Sequence, residues 1–313
     1  MRKKEKPKIS ILRVALTSFV VDISDVGLNL LVAMLTGSVV VVTQVIAGLA
    51  DMTASGLTVV GVVRSKKPAD KKHPFGYGRE VYFWALLAGL FMFMISAVAS
   101  FWFSWNRFVN PHIVNNLWMA AVVTLVGVVT NGYALTLAVR RLLKHREFSK
   151  LAYVFLNSSL IETKTALVMD LTGTLSSALG LVALWLYSFT GEPRYDALGG
   201  MAIASLMAIL AFALLLNVRE LIIGRSTSGE NEERIMKAVL EVAGVIKIVD
   251  LRTLIIGSEK LMAHVEVHVE DGLTTDEIER LIDKIQKHVS EKVESVKLVQ
   301  VEIETPDEEI VTA

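Results

Sequence analysis

The chain has no cysteine, which excludes disulfides, thiolate metal sites and a cysteine nucleophile at once. It has no net charge either: 32 Lys and Arg balance 32 Asp and Glu, so any electrostatic signal lies in where the basic residues fall. A P-loop, a dinucleotide fingerprint and a nucleophile arrangement are all missing, which argues against an ATP-driven pump and against an enzyme. No small-residue cleavage site follows the basic start MRKKEKPK, so that start reads as the flank of an uncleaved first membrane span.

What the chain has in excess is apolar character. Of its 313 residues 53% are hydrophobic and the mean hydropathy is +0.51, too greasy for an ordinary soluble domain. Six apolar stretches, at about 11–35, 39–63, 81–105, 115–139, 153–189 and 196–223, meet the length of about 20 residues that a bilayer-crossing helix needs. The fifth is the longest and is expected to begin as a cytosolic extension. Basic residues crowd alternate gaps: the start, then "RSKKPADKKHPFGYGR" (64–79), then "RRLLKHREFSK" (140–150). The other gaps, "TGS", "NRFVNPHIVNN" and "TGEPRY", hold only Arg107 and Arg194. This bias places both termini in the cytoplasm of a multi-pass cell-membrane protein. Anionic headgroups explain the basic loops, and nucleic acid is not needed as a partner.

Near residue 226 the composition changes. "STSGENEER" is a polar linker, and the remainder reads helix, two strands joined at Gly257-Ser258, a helix over 275–293 opened by a Thr274/Glu277 capping box, and a last strand "SVKLVQVEIE". The expected organisation is a six-helix α-helical membrane bundle over 1–225 and an α+β domain of order αββαβ over 226–313. Within the second strand, alternation gives Val265, Val267 and Val269 a buried face and turns His264, Glu266 and His268 away from it.

Several spans carry carboxylates. Asp22, Asp25 and Asn29 share one helical face at i, i+3 and i+7; Gln44, Ala47 and Asp51 have that spacing in the second span, and Thr163, Ala166 and Asp170 have it in the fifth. The segments "AGLADMTASGLTVVGV" and "TALVMDLTGTLSSALGL" resemble each other and put Asp51 over Asp170, as an internal repeat would. A carboxylate near the bilayer centre costs several kcal/mol unless it is paired, hydrated or cation-bound. The structural alternatives are pairing with a neighbour such as Lys164 or a place in the headgroup zone; Lys164 neutralises one Asp at most. Converging carboxylates with amide and hydroxyl neighbours suit a divalent cation, and they take protons when the cation leaves.

The stretches "MLTGSVVVVTQVIAGLADMTAS" (34–55), "KKPADKKHPFGYGRE" (66–80) and "VIKIVDLRTLIIGSEKLMAHVEVHVEDGLTTDE" (245–277) resemble the cation diffusion facilitator (cation efflux) family across essentially the whole chain. The middle stretch is the most specific, with Pro68, Asp70, His73, Pro74, Phe75, Gly76, Gly78 and Arg79 in the family's loop after the second span. The resemblance implies a homodimer of six-helix protomers with a ferredoxin-like cytosolic domain, exporting a divalent metal such as Mn²⁺, Fe²⁺ or Zn²⁺ in exchange for protons. It also implies a four-ligand site, two residues each from the second and fifth spans. Here Ala47 and Asp51 fall in the first pair. Ala166 and Asp170 fit the second, although "TLSS" also allows a register three residues later that puts Gly173 in the last place. Gln44, Asp22, Asp25, Glu162 and Thr163 are the residues that would complete such a shell.

An oxygen-rich, His-free site favours Mn²⁺, Fe²⁺ or Mg²⁺ over tetrahedral Zn²⁺. In the tail, His264 stands where the family often has a metal-binding His; His268, roughly 13 Å along the strand, cannot share its ion. Glu279, Glu302 and Glu304 are the candidate substitutes for the family's other tail ligands. The rival reading is a non-transporting relative acting as a structural or regulatory dimer partner, motivated by the two positions without a ligand.

Overall fold

The computed structural model describes the backbone of residues 11–143, 147–157 and 159–304, with side chains from Ile23 onward except at Ser24 and Asn157. The chain divides into two compact units. One is built from the chain up to Lys67 together with Glu80–Leu156 and Leu160–Arg219, the other from Pro68–Arg79, Asn157–Ser159 and the chain from Glu220 onward.

The first unit is all helix, as apolar sequence in a bilayer demands, because every backbone amide must find its partner inside its own segment. The helices are α1 (Ile11–Thr36), α2 (Val39–Arg64), α3 (Glu80–Phe91), α4 (Ser100–Val109), α5 (Leu117–Leu143), α6 (Leu151–Asn157), α7 (Ile161–Thr190) and α8 (Arg194–Ile223). A π-helical stretch, Met92–Ala99, joins α3 to α4 without a break, so Glu80–Val109 is one span. Among the described residues, five helical segments are long and apolar enough to cross a membrane, and the Asp25–Thr36 part of α1 is a shorter apolar helix.

The fifth expected span differs from the sequence reading. It is divided: α6 stops at Asn157, Leu160 is non-helical at φ −76°, ψ 72°, and α7 starts at Ile161. The sequence at the break is Asn-Ser-Ser, residue types that hydrogen-bond their own backbone and favour turns. The apolar face of α6 still packs through Leu151, Val154 and Phe155 on Ala138, Leu142 and Leu167 of α5 and α7.

Two devices set the helices in place. Gly37, at φ +65°, turns the chain between α1 and α2. The first turn of α2 is then capped from α8: the Asp196 carboxylate accepts hydrogen bonds from Ser38 Oγ (2.7 Å), Val39 N (2.5 Å) and Val40 N (3.2 Å). Close approach does the rest. A Cβ on Gly180 would lie 2.5 Å from Val40 Cγ1, and one on Gly199 would lie 2.3 Å from the Cβ of Ala183, so α7 meets α2 and α8 nearly at backbone distance.

The second unit runs α9 (Gly229–Leu240), β1 (Val245–Gly257), β2 (Lys260–Val269), α10 (Thr275–Lys292) and β3 (Val296–Ile303), the expected αββαβ order. The sheet order is β1-β2-β3, antiparallel for the first pair and parallel for the second. The β2 alternation holds: Leu261, Ala263, Val265, Val267 and Val269 are buried, as are Leu281, Ile285 and Val289 of α10 and Ile235 and Val239 of α9. The Thr274/Glu277 capping box is formed in both directions. Gly78 of the Pro68–Arg79 loop lies where a Cβ would be 2.4 Å from the Ile256 carbonyl oxygen, so only glycine fits against that strand end.

Candidate metal centre

Four helices of the first unit converge on a small cavity of about 40 Å³, room for a cation and a small number of waters. Each helix contributes residues one turn apart on one face: Asp25 and Asn29 from α1; Gln44, Ala47, Gly48 and Asp51 from α2; Gly127 and Asn131 from α5; Thr172, Gly173, Ser176 and Ser177 from α7. Met207 of α8 closes the wall. The walls are oxygen-bearing and hold no imidazole.

The hydrogen bonds orient these groups. The Asn29 amide nitrogen donates to the Asp25 carbonyl oxygen at 2.9 Å, and the Asn131 amide nitrogen donates to the Gly127 carbonyl oxygen at 2.9 Å. Thr172 Oγ1 donates to the Val168 carbonyl oxygen at 2.7 Å. These bonds to the helices' own carbonyls fix which way the Asn29, Asn131 and Thr172 side chains point. Two side-chain oxygens are orphaned: Asn29 Oδ1 and Ser176 Oγ are buried and find no hydrogen-bond partner, in residues only 5% and 2% exposed. A buried polar atom left unsatisfied costs about 1–3 kcal/mol, and both belong to residues that line the cavity together with Asp25 and Asp51. Gln44 Nε2 reaches Ser177 Oγ at 3.5 Å, the long limit of a hydrogen bond, and links α2 to α7 across the site.

The residues singled out from sequence fall into three groups. Asp25, Gln44 and Asp51 come together on this cavity. Asp22 lies in α1 among the residues whose side chains are outside the described set. Asp170 and Thr163 sit on α7 but do not line the cavity; Gly173, the last place of the later register, does. Asp170 is half-buried one turn before Gly173, and Thr163 lies roughly 15 Å before it along the helix axis. Lys164 is fully buried, with Nζ donating to Asn217 Oδ1 at 2.8 Å and to the Leu156 carbonyl oxygen at 3.3 Å. Sequence reasoning missed Asn131, Ser176 and Ser177 as cavity residues. The signal that could have found them is the repeated spacing of a glycine and a polar residue four positions on, Gly127/Asn131 and Gly173/Ser177.

His264 belongs to the second unit. Its Nε2 lies 3.5 Å from Glu266 Oε1 and 3.4 Å from Glu302 Oε2, and one ligand atom from each of the three residues falls within 4.8 Å of the others. Glu266 is opposite Glu302 in the parallel β2–β3 register, which assembles the cluster. Arg252 stands 3.8 Å from the same Glu266 oxygen. Glu302 was among the candidate substitutes; Glu266 was not, although its place two residues beyond His264 on the same strand face was readable.

A bundle of apolar helices around an oxygen-lined cavity, joined to a small α+β domain, defines a multi-pass membrane protein. The chain belongs to the cation efflux family: the cation efflux transmembrane domain matches residues 15–223, and the cation efflux protein cytoplasmic domain matches residues 227–305. The proton-coupled zinc antiporter SLC30A9, mitochondrial, of Homo sapiens is 24% identical over 260 residues, which cover 80% of this chain and 46% of that protein. The cation-efflux pump FieF of Klebsiella pneumoniae is 25% identical, covering 81% of this chain and 79% of its own. An uncharacterised transporter of Methanocaldococcus jannaschii is 26% identical over 98% of this chain and 100% of its own. The chain thus spans about half the length of the SLC30A9 relatives and nearly all of the archaeal one.

Proposed function

We propose that this chain is a secondary active transporter that exports a divalent metal cation from the cytoplasm in exchange for protons, and that it works as a homodimer. The cation is held in the cavity between α1, α2, α5 and α7 by Asp25 and Asp51, with neutral oxygens from the amide and hydroxyl side chains around them. The observation that carries this reading is the pair of orphaned buried oxygens, Asn29 Oδ1 and Ser176 Oγ, in residues that line the same cavity as the two carboxylates. Two carboxylates match a divalent charge, and with no cation bound they take up protons, which couples the two fluxes in one site. Asp170, one turn earlier on α7, is the carboxylate that a cation meets on its way in. The names of the relatives, a proton-coupled zinc antiporter and a cation-efflux pump, support transport as the activity. A lining of carboxylate, amide and hydroxyl oxygens with no imidazole favours Mn²⁺, Fe²⁺ or Mg²⁺ over Zn²⁺. His264, Glu266 and Glu302 form a second place where a cation binds, in the cytoplasmic domain.

The rival, a non-transporting dimer partner, draws on Ala47 and Gly173, two positions on the cavity wall with no ligand atom in the side chain. Purified protein in liposomes loaded with a pH dye separates the two. Metal-driven proton movement by the wild-type chain, abolished by Asp51→Asn, supports transport; a wild-type chain that moves neither metal nor protons leaves the partner role.

A further inference from the structure

The α7 wall of the cavity carries no side chain at Gly173. At Gly173 a Cβ would lie 2.5 Å from Asn131 Oδ1 and 2.7 Å from Asn131 Cγ. The carboxamide of α5 therefore occupies the volume that a side chain at position 173 would fill. The arrangement is reciprocal, since a Cβ at Gly127 would lie 2.7 Å from Ser177 Oγ. On each helix a glycine is followed four residues later by a polar side chain, and each polar side chain fits into the other helix's glycine gap.

We infer that Asn131 supplies the ligand that position 173 of α7 does not, and that the Asn131/Gly173 pair sets which cations the cavity accepts. The inference rests on the cavity being the transport site. The carboxamide is held in one orientation because its nitrogen donates to the Gly127 carbonyl oxygen at 2.9 Å, which leaves Oδ1 as its ligand atom. An amide oxygen is hard and neutral. It coordinates an oxygen-preferring cation without adding charge, so the two carboxylates alone balance a divalent ion, and unlike a carboxylate it carries no proton in the return step. A carboxylate at position 173 would have to displace the Asn131 carboxamide, so the two positions compete for one place.

The test uses the full chain in liposomes and follows transport as Mn²⁺, Zn²⁺ or Mg²⁺ is titrated. Asn131→Ala is expected to raise the half-saturating Mn²⁺ concentration roughly tenfold or more, the scale of losing one well-placed group at a metal site. Asn131→Ala with Gly173→Asp is expected to recover saturation and to change the order of preference among the three cations. Asn131→Asp, nearly isosteric, keeps the packing and makes Mn²⁺ saturation depend more steeply on pH than it does in the wild type, because a third group that binds protons joins the two carboxylates. An Asn131→Ala curve that superimposes on wild type for all three cations, an Asn131→Asp curve no steeper in pH than the wild type's, or a double variant no better than Asn131→Ala overturns the inference. Its failure is distinguishable from failure of the transport site: if Asp51→Asn also transports normally the cavity reading falls, whereas an inactive Asp51→Asn beside an unaffected Asn131→Ala removes only the role of Asn131.

Discussion

Ser38 and Asp196 stand 158 positions apart in the chain and meet at 2.7 Å, Ser38 Oγ donating to the carboxylate that also receives the Val39 and Val40 amides. The contact ties the first turn of α8 to the first turn of α2 and so fixes the helix that carries Gln44 and Asp51. A carboxylate at a helix N-terminus satisfies orphan amides and complements the macrodipole. Asp196→Ala is expected to remove about 2 kcal/mol, lowering Tm by roughly 4–8 °C in a unit of this size. Asp196→Asn keeps an acceptor oxygen and loses less. Thermal unfolding in detergent, followed by tryptophan fluorescence, checks the order wild type, Asn, Ala; three coincident curves would show the cap to be dispensable.

The second unit carries a pH dependence. Hydrogen bonds from His288 Nε2 (3.0 Å) and Lys292 Nζ (3.1 Å) hold the Glu241 carboxyl below its ordinary value of 4.5, and the Thr274 amide and hydroxyl do the same for Glu277. A carboxyl lowered in the folded state contributes stability above its unfolded value, and that contribution is lost as pH falls through the lowered one. The isolated segment 226–313 is expected to fold, to self-associate on a sizing column with light scattering, and to weaken towards urea as pH drops below about 4.5. Glu241→Gln with Glu277→Gln flattens that acid limb. An unfolded monomer at neutral pH, or an unchanged acid limb in the double variant, contradicts this account.

How much was legible follows from which residues announce themselves energetically. The spans were readable because about 20 consecutive apolar residues have few other homes. The αββαβ tail was readable because strand alternation at 261–269 and helical spacing at 275–292 differ in period. Asp25, Gln44 and Asp51 stood out because polar groups in a span are costly. Asn131, Ser176 and Gly173 did not, since amides, hydroxyls and glycines are ordinary in membrane helices and only the packing of α5 against α7 reveals what they face. The register of α7 was open for the same reason: Asp170 is the conspicuous residue, while Gly173 lines the cavity. Asp196 was hidden because the helix end it caps lies far away in sequence.

Topology follows from the basic gaps at 64–79 and 140–150. A chain without cysteine accepts a single reporter thiol at Lys71, an exposed position. In intact cells Lys71→Cys should resist an impermeant thiol reagent and react once the membrane is opened. Labelling from outside would invert the orientation and with it the direction proposed for the metal.

Asp25 and Asp51 line one cavity, and if they act as one unit their substitutions are not additive. Asp25→Asn and Asp51→Asn each remove a charge that is expensive to place inside the bilayer, so both variants should fold at least as well as wild type. Each should stop Mn²⁺-driven proton movement, and the double variant should be no worse than either single one. Asp170→Asn should behave differently, because Asp170 stands outside the cavity wall: slower transport at low metal, with an unchanged order of preference among Mn²⁺, Fe²⁺, Co²⁺, Zn²⁺ and Mg²⁺. The lining of oxygens with no imidazole sets that order with Mn²⁺ or Fe²⁺ ahead of Zn²⁺. Strong Zn²⁺ preference would require a nitrogen ligand that the cavity lacks among the described residues. Additive losses in the Asp25/Asp51 pair would mean two separate steps, and abolished transport in Asp170→Asn with normal transport in Asp25→Asn would move the site one turn down α7, to the register that Gly173 displaced.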